Sequence, residues 1–441
     1  MEKPMTKISK KQFLVISLML FSMFFGAGNF IFPPMLGKEA GVNVYEAILF
    51  FCITGVALPV LGIAAVAKSH SMDNLVRRVD PYFAMIFTIL IYITIGPAFA
   101  IPRAANMPFE VTIAPFISTE NQSIGLFVYT LIYFIINYLI CINPSKMVEM
   151  LGKILTPLML ILIVFLFISN IINPIGEFGP AVGKYASHPI ASGFLAGYET
   201  MDALASLVFG IVVINAIKNL GLTNNRVIVK STIKSGILAG AILMSIYMML
   251  AYIGASTSSL FPDVKNGAAL LSNITNQLFG GFGVFVLGTI FLLACITTTV
   301  GLISSASEFF SGLVKNTSYK FWVITWSFLS FCVANVGLNA LLTYSIPVLI
   351  ALYPITIVLI ILALINNFIN SSKLIYRTCV YVAVIMGIVN GFDAAGIKIP
   401  MISEVFAKIP FYDIGLGWII PEILCLMITY IIHLFRKKDG I

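Results

Sequence analysis

Apolar segments of membrane-crossing length divide this chain, and they constrain its fold more than any other feature. A helix needs about 20 apolar residues to cross the hydrocarbon core. Such segments lie near 12–37, 44–67, 82–102, 124–142, 150–172, 190–217, 228–255, 276–310, 320–335, 339–366, 374–391 and 414–435, which predicts twelve spans. The first is too long for a cleaved signal peptide, and no small-residue cleavage site follows it. With 59% hydrophobic residues, 10% charged and a mean hydropathy of +1.02, the chain cannot cover a water-facing surface. That excludes a soluble enzyme. The net charge of +8 does not point to nucleic acid, because the basic residues sit in short runs between apolar segments rather than on one face.

An even number of spans puts both termini on one side, and the basic residues indicate which. If the ends are cytoplasmic, the inner segments hold 20 Lys and Arg. The outer segments hold only 6: Lys38, Arg103, Lys184, Lys265, Lys398 and Lys408. That asymmetry is the positive-inside pattern. Trp322 and Trp326 open the ninth span and Trp418 the twelfth, where interfacial rings are expected. Outer loops are expected near 103–123, 173–189, 256–275 and 392–413, the last three long enough for short helices.

Enzymatic chemistry finds no support. Cys52, Cys141, Cys295, Cys332, Cys379 and Cys425 lie in apolar runs without a CxxC, and read as small hydrophobic filler. His70, His188 and His433 lack metal-ligand spacing. There is no GxxxxGK[ST] phosphate loop and no nucleophile–base constellation.

Two spans carry interruptions. In the first, Gly26, Ala27, Gly28 and Asn29 fall about halfway across, followed by Pro33 and Pro34. Glycines weaken a helix, and Asn competes for backbone hydrogen bonds. In lipid such a break is tolerated only where it lines a cavity or binds a ligand. Glycines also admit close-packed neighbours, which is the other reading. The sixth span carries Glu199, Thr200 and Asp202 in an apolar stretch. Asp202 lies 16 residues from Lys218 at the inner end, roughly 24 Å of ideal helix. A carboxylate at that depth costs a few kcal/mol and marks a functional candidate, or else a polar residue bonded to a neighbouring helix. Glu199 lies nearer the outer surface, where a vestibule would solvate it. Spans one and six are five apart, an odd number, so a repeat of spans 1–5 (12–172) in spans 6–10 (190–366) runs inverted. Paired broken helices in inverted repeats mark one class of secondary transporter, with the substrate at midplane. Spans 11–12 (374–435) fall outside the repeat, and 436–441 form a short cytoplasmic tail. The expected fold is an all-α polytopic membrane protein with a single transporter domain over 1–435. The eighth span adds dense hydroxyls, Thr297, Thr298, Thr299, Ser304 and Ser305. These are hard oxygen ligands suited to Na⁺, or else glue between helices.

The stretches FFGAGNFIFPPMLGKEAG (24–41) and GYETMDALASLVFGIVVINAIK (197–218) resemble the bacterial branched-chain amino acid:cation symporter family, of the amino acid–polyamine–organocation superfamily. The resemblance covers nearly the whole chain. It implies a leucine-transporter-type fold in the bacterial cell membrane, and uptake of leucine, isoleucine and valine driven by Na⁺ or H⁺. A same-fold symporter for alanine, another neutral amino acid, a nucleobase or a metal ion is the alternative. No cofactor, nucleic acid or obligate protein partner is implied; the partners are substrate, coupling ion and lipid bilayer.

The resemblance also implies sites. The substrate carboxylate would meet the backbone N–H groups of Gly26, Ala27, Gly28 and Asn29, at a helix N-terminus suited to anions. The ammonium would meet carbonyls freed near Thr200, Met201, Asp202 and Ala203, together with the Asp202 carboxylate. A cation site would use the carbonyls of Ser22, Phe25 and Ala294 and the hydroxyls of Thr297 and Thr298. Proton coupling would instead need a buried carboxyl, and Asp202 is the candidate.

Overall fold

A computed structural model describes residues 8–142 and 156–438. Lys3, Lys7, Lys146 and Lys153, the first residues of the expected fifth span and the last residues of the tail lie outside the described residues. Among those described, all regular structure is helical. The helices are α1 (Lys10–Phe24), α2 (Ala27–Ala40), α3 (Val44–Cys52), α4 (Leu58–Ser69), α5 (Met72–Val76), α6 (Pro81–Ile93), α7 (Ala100–Thr112), α8 (Gln122–Ile142), α9 (Thr156–Ile172), α10 (Lys184–Ser187), α11 (Pro189–Ala196), α12 (Asp202–Asn219), α13 (Asn225–Ala255), α14 (Gly267–Leu313), α15 (Tyr319–Ala334), α16 (Leu338–Leu364), α17 (Lys373–Ala394), α18 (Ile402–Phe406) and α19 (Ile419–Lys438). Among the described residues, eight helical stretches are long and apolar enough to cross a membrane, and three shorter apolar helices accompany them.

Lipid-facing surfaces are visible in the exposure pattern. On α8, Ile124, Val128, Leu131, Ile135 and Leu139 are exposed at helical spacing, while Thr130, Tyr133 and Asn137 point inward and are buried. An apolar stripe this long is stable only against lipid or a partner helix. Asn137 Nδ2 donates within α8 to Tyr133 O, and Tyr133 Oη lies 2.8 Å from Thr299 Oγ1 of α14. Polar pairs of this kind join helices where water is absent.

Backbone-close packing holds α2 in place. A Cβ added at Gly37 would strike the carbonyl of Ala251, one at Gly254 the carbonyl of Pro34, and one at Gly267 the carbonyl of Ile31. Only glycine permits such approach, so α2 lies directly against α13 and the start of α14. Pro33 and Pro34 lie inside α2 rather than ending it.

Several expectations need correction. The third span does not end at residue 102. Its helix resumes at Ala100 and runs to Thr112, so the loop predicted at 103–123 shrinks to the segment before α8. Arg103 is therefore not a loop residue; it is buried in α7. The third span also carries a break, a π-type turn over Thr94–Ala98 with non-helical Gly96 (φ −94°, ψ −122°). Pro97 cannot donate a backbone bond there. The eighth span begins later than its helix, because Gly280 (φ 66°) kinks α14 and sets 267–279 apart from the rest of it. Trp326 and Trp418 are buried against neighbouring helices, Trp326 stacking on Trp322 beside Phe310.

Candidate functional site

The first span breaks at Phe25–Gly26, and the reason is local. The Gly26 N–H turns to Asn29 Oδ1 (2.9 Å) instead of Ser22 O four residues back. The Asn29 N–H bonds Gly26 O (3.2 Å) rather than Phe25 O. Ser22 and Phe25 thus hold carbonyls without their usual helical donors, while α2 starts with the unpaired N–H groups of any helix N-terminus.

The sixth span breaks through a tight turn at Gly197–Thr200 and a left-handed Met201 (φ 64°, ψ 7°). Such a conformation is unusual for a buried long side chain and costs about 1–3 kcal/mol, a cost that recurs at functional sites. Helix α12 then starts at Asp202, whose carboxylate faces the first break. Asn29 Nδ2 donates to Asp202 Oδ2 at 2.7 Å, and Tyr247 Oη of α13 donates to the same oxygen at 3.0 Å. Asn29 Nδ2 also donates to Tyr247 Oη. All three side chains are buried. One Asn side chain therefore caps its own break with one end and ties it to the second break with the other.

Gly26, Ala27, Gly28, Asn29, Thr200, Met201 and Asp202 line one cavity together with Arg103, Phe209 and Thr298. Ala203 does not line it; its carbonyl accepts the Ser206 hydroxyl at 2.6 Å. Thr298 reaches the break, since a Cβ at Gly26 would lie 3.1 Å from its Oγ1. The hydroxyls of Thr297 (2.6 Å) and Thr298 (3.3 Å) both donate to Ala294 O, which leaves their oxygen lone pairs available. Ser22, Phe25, Ala294 and Thr297 are not part of the cavity lining. The cavity volume is about 30 Å³, room for a water or two. A branched-chain side chain enters only if the surrounding helices separate.

Two site residues escaped the sequence reading. Tyr247 sits in an apolar run without distinguishing neighbours. Arg103 looked like a loop cation. Its Nη1 donates to Glu199 O (2.7 Å) and its Nη2 to Thr200 O (3.4 Å), with the guanidinium 5.1 Å from the Phe32 ring centre. The only sequence signal was the Gly96–Pro97 break below it, which re-aims the rest of the third span. In the turn before Thr200, the Tyr198 ring stacks on the Tyr353 ring of α16 at 4.0 Å.

This geometry suits a small zwitterion held between helix ends, and relatives identify the class. Residues 9–436 match the family model described as branched-chain amino acid transport protein. The chain belongs to that family. It is 40% identical to the branched-chain amino acid permease BraB of Bacillus subtilis over 428 residues, covering 96% of each chain. It is 39% identical to the branched-chain amino acid transport system 2 carrier protein of Pseudomonas aeruginosa, covering 97% of each. Solved structures with the same fold include the inward-facing conformation of Mhp1 (TM-score 0.61, 12% identity, 100% of this chain and 96% of that one). MhsT in complex with L-phenylalanine is another (TM-score 0.54, 14% identity, 99% of each). The transporter is thus a multi-pass membrane protein with the leucine-transporter-type fold, and a carrier rather than an enzyme.

Proposed function

We propose that this transporter imports leucine, isoleucine and valine together with Na⁺, by alternating access around the paired breaks. The direct Asn29–Asp202 bond between the two discontinuities carries this reading. It joins spans one and six, the pair of broken helices between which an inverted-repeat carrier holds its substrate. In this reading twelve spans form a 5+5 inverted repeat with two added helices, and both termini are cytoplasmic, as the basic residues favour. The substrate carboxylate lies at the α2 N-terminus around Gly26, Ala27, Gly28 and Asn29. Its ammonium lies near the carbonyls of the second break and Asp202. Na⁺ lies between Ser22 O, Phe25 O, Ala294 O and the hydroxyls of Thr297 and Thr298. The released Ser22 and Phe25 carbonyls, and Thr298 beside Gly26, support that last assignment.

A neutral zwitterion moving with one cation makes the cycle electrogenic. One charge crossing about 100 mV yields roughly 2.3 kcal/mol, enough for about 50-fold accumulation. The test is uptake of labelled leucine into proteoliposomes with an imposed Na⁺ gradient at fixed pH. Stimulation by Na⁺ is expected. Uptake that ignores Na⁺ but follows an imposed pH gradient would replace Na⁺ by H⁺, with Asp202 as its carrier. Competition by unlabelled alanine or a nucleobase, and none by isoleucine and valine, would overturn the substrate assignment.

A further inference from the structure

Arg103 is a buried cation with no carboxylate within ion-pair distance among the described residues. Its side chain is 3% exposed and lines the same cavity as Asp202. Yet among the described residues the only ion pair within 4 Å is Arg77–Asp73, which is far out on the surface. Arg103 has only carbonyl partners. Its Nε is buried with no protein acceptor, and its Nη2 makes one long bond. The Nε–Nη2 side of the fork is therefore the underused one. That same Nη2 lies against α2, where a Cβ on Gly28 would come within 2.7 Å of it. Asp202 mirrors this imbalance: both of its side-chain donors are neutral and both bond Oδ2. A buried guanidinium favours a carboxylate through two parallel hydrogen bonds, and leaving a buried charge unpaired is costly.

We infer that Arg103 is the specificity-determining partner of the substrate α-carboxylate, its Nε–Nη2 edge closing on the anion from the third span while the α2 N-terminus holds it from the first. Asp202 takes the ammonium on its other oxygen, so the site holds one fixed charge of each sign and a zwitterion completes both. A ligand without a carboxylate leaves Arg103 unmatched. This inference rests on the amino acid reading above and adds the residue that tells an α-amino acid from derivatives that lack its carboxylate.

The test is equilibrium binding of labelled leucine to the purified full-length transporter. Leucine and leucinamide compete at mildly acidic pH, where both carry an ammonium. Wild type should prefer leucine over leucinamide by about 10- to 100-fold, the scale of hydrogen bonds to a charged group. Arg103→Gln should weaken leucine by that factor, leave leucinamide within about twofold of its wild-type value, and so erase the preference. An undiminished preference in Arg103→Gln would overturn the assignment. If Arg103→Gln is not monodisperse, Arg103→Lys decides. It keeps the charge but loses the fork, and a preference as large as wild type would again refute the proposal. A wild type that binds none of leucine, isoleucine or valine would sink the substrate reading instead. The Arg103 comparison would then be made with whichever amino acid binds, against its amide.

Discussion

Gly28→Ala separates the stability of the fold from the chemistry of the site. The added Cβ would sit 2.7 Å from Arg103 Nη2, 3.2 Å from its Cζ and 3.3 Å from Phe32 Cε2. The backbone at Gly28 is ordinary α-helix, so alanine brings no conformational strain and gains up to about 1 kcal/mol of helix propensity. The clash falls on the far end of a long side chain, which can yield. Raising 2.7 Å to an ordinary contact of 3.4 Å requires the guanidinium to retreat by about 0.7 Å. A shift of that size takes the 2.7 Å bond to Glu199 O to the limit of hydrogen-bond length and displaces the Nε–Nη2 edge. One charge-assisted bond lost between that displaced edge and the substrate carboxylate would cost about 1.5–3 kcal/mol, or about 10- to 150-fold in affinity. The assay pairs the KM for leucine uptake in proteoliposomes with thermal unfolding in detergent. A raised KM at an unchanged or slightly higher Tm is expected. A wild-type KM at an unchanged Tm would refute the claim that the guanidinium position matters. A lowered Tm would mean that the backbone, not Arg103, absorbs the clash.

Tyr247→Phe keeps the ring packed edge-on against Phe51 (5.3 Å) but strips one donor from Asp202. Leucine uptake should fall about tenfold or more with little change in melting, and full activity would remove Tyr247 from the site. Thr297→Ala together with Thr298→Ala should raise the Na⁺ concentration for half-maximal uptake by about tenfold; an unchanged Na⁺ dependence would strike both from the cation site. Gly254→Ala drives a methyl into the carbonyl of Pro34, where neither backbone has room. Fluorescence-detected size exclusion should show loss of the monodisperse peak, and a wild-type yield would contradict the close packing of α2 on α13.

The sequence made both site-forming breaks legible because polar and glycine residues stand out against lipid-compatible neighbours. Gly26, Gly28 and Asn29 weaken one helix, and Glu199, Thr200 and Asp202 load another with groups that lipid disfavours. The break appears at Phe25–Gly26 rather than across 26–29, because the Asn29 side chain caps the new helix and draws Ala27–Asn29 into it. Arg103 was misread for a physical reason. Hydropathy treats a cation at the end of an apolar run as solvated, and only the folded chain brings the carbonyls of Glu199 and Thr200 to it. Tyr247 carries no charge and no helix-breaking neighbour, so nothing in its own segment marked it. Pro97 stands in the sequence, but proline is too common in membrane helices to distinguish a break from a gentle kink, and the departure at Gly96 shows only in the fold.

The glycines that seat α2 have a mechanical consequence. A helix whose backbone presses on the backbones of two neighbours has no slack in which to slide or roll. The half of the first span beyond the break is therefore seated tightly on α13 and the start of α14. The half before it, α1, ends at Phe25 with its last carbonyls already released. Bending there would sacrifice almost no backbone bonding, so under the alternating-access reading proposed above the swing would concentrate at a single peptide joint on the N-terminal side.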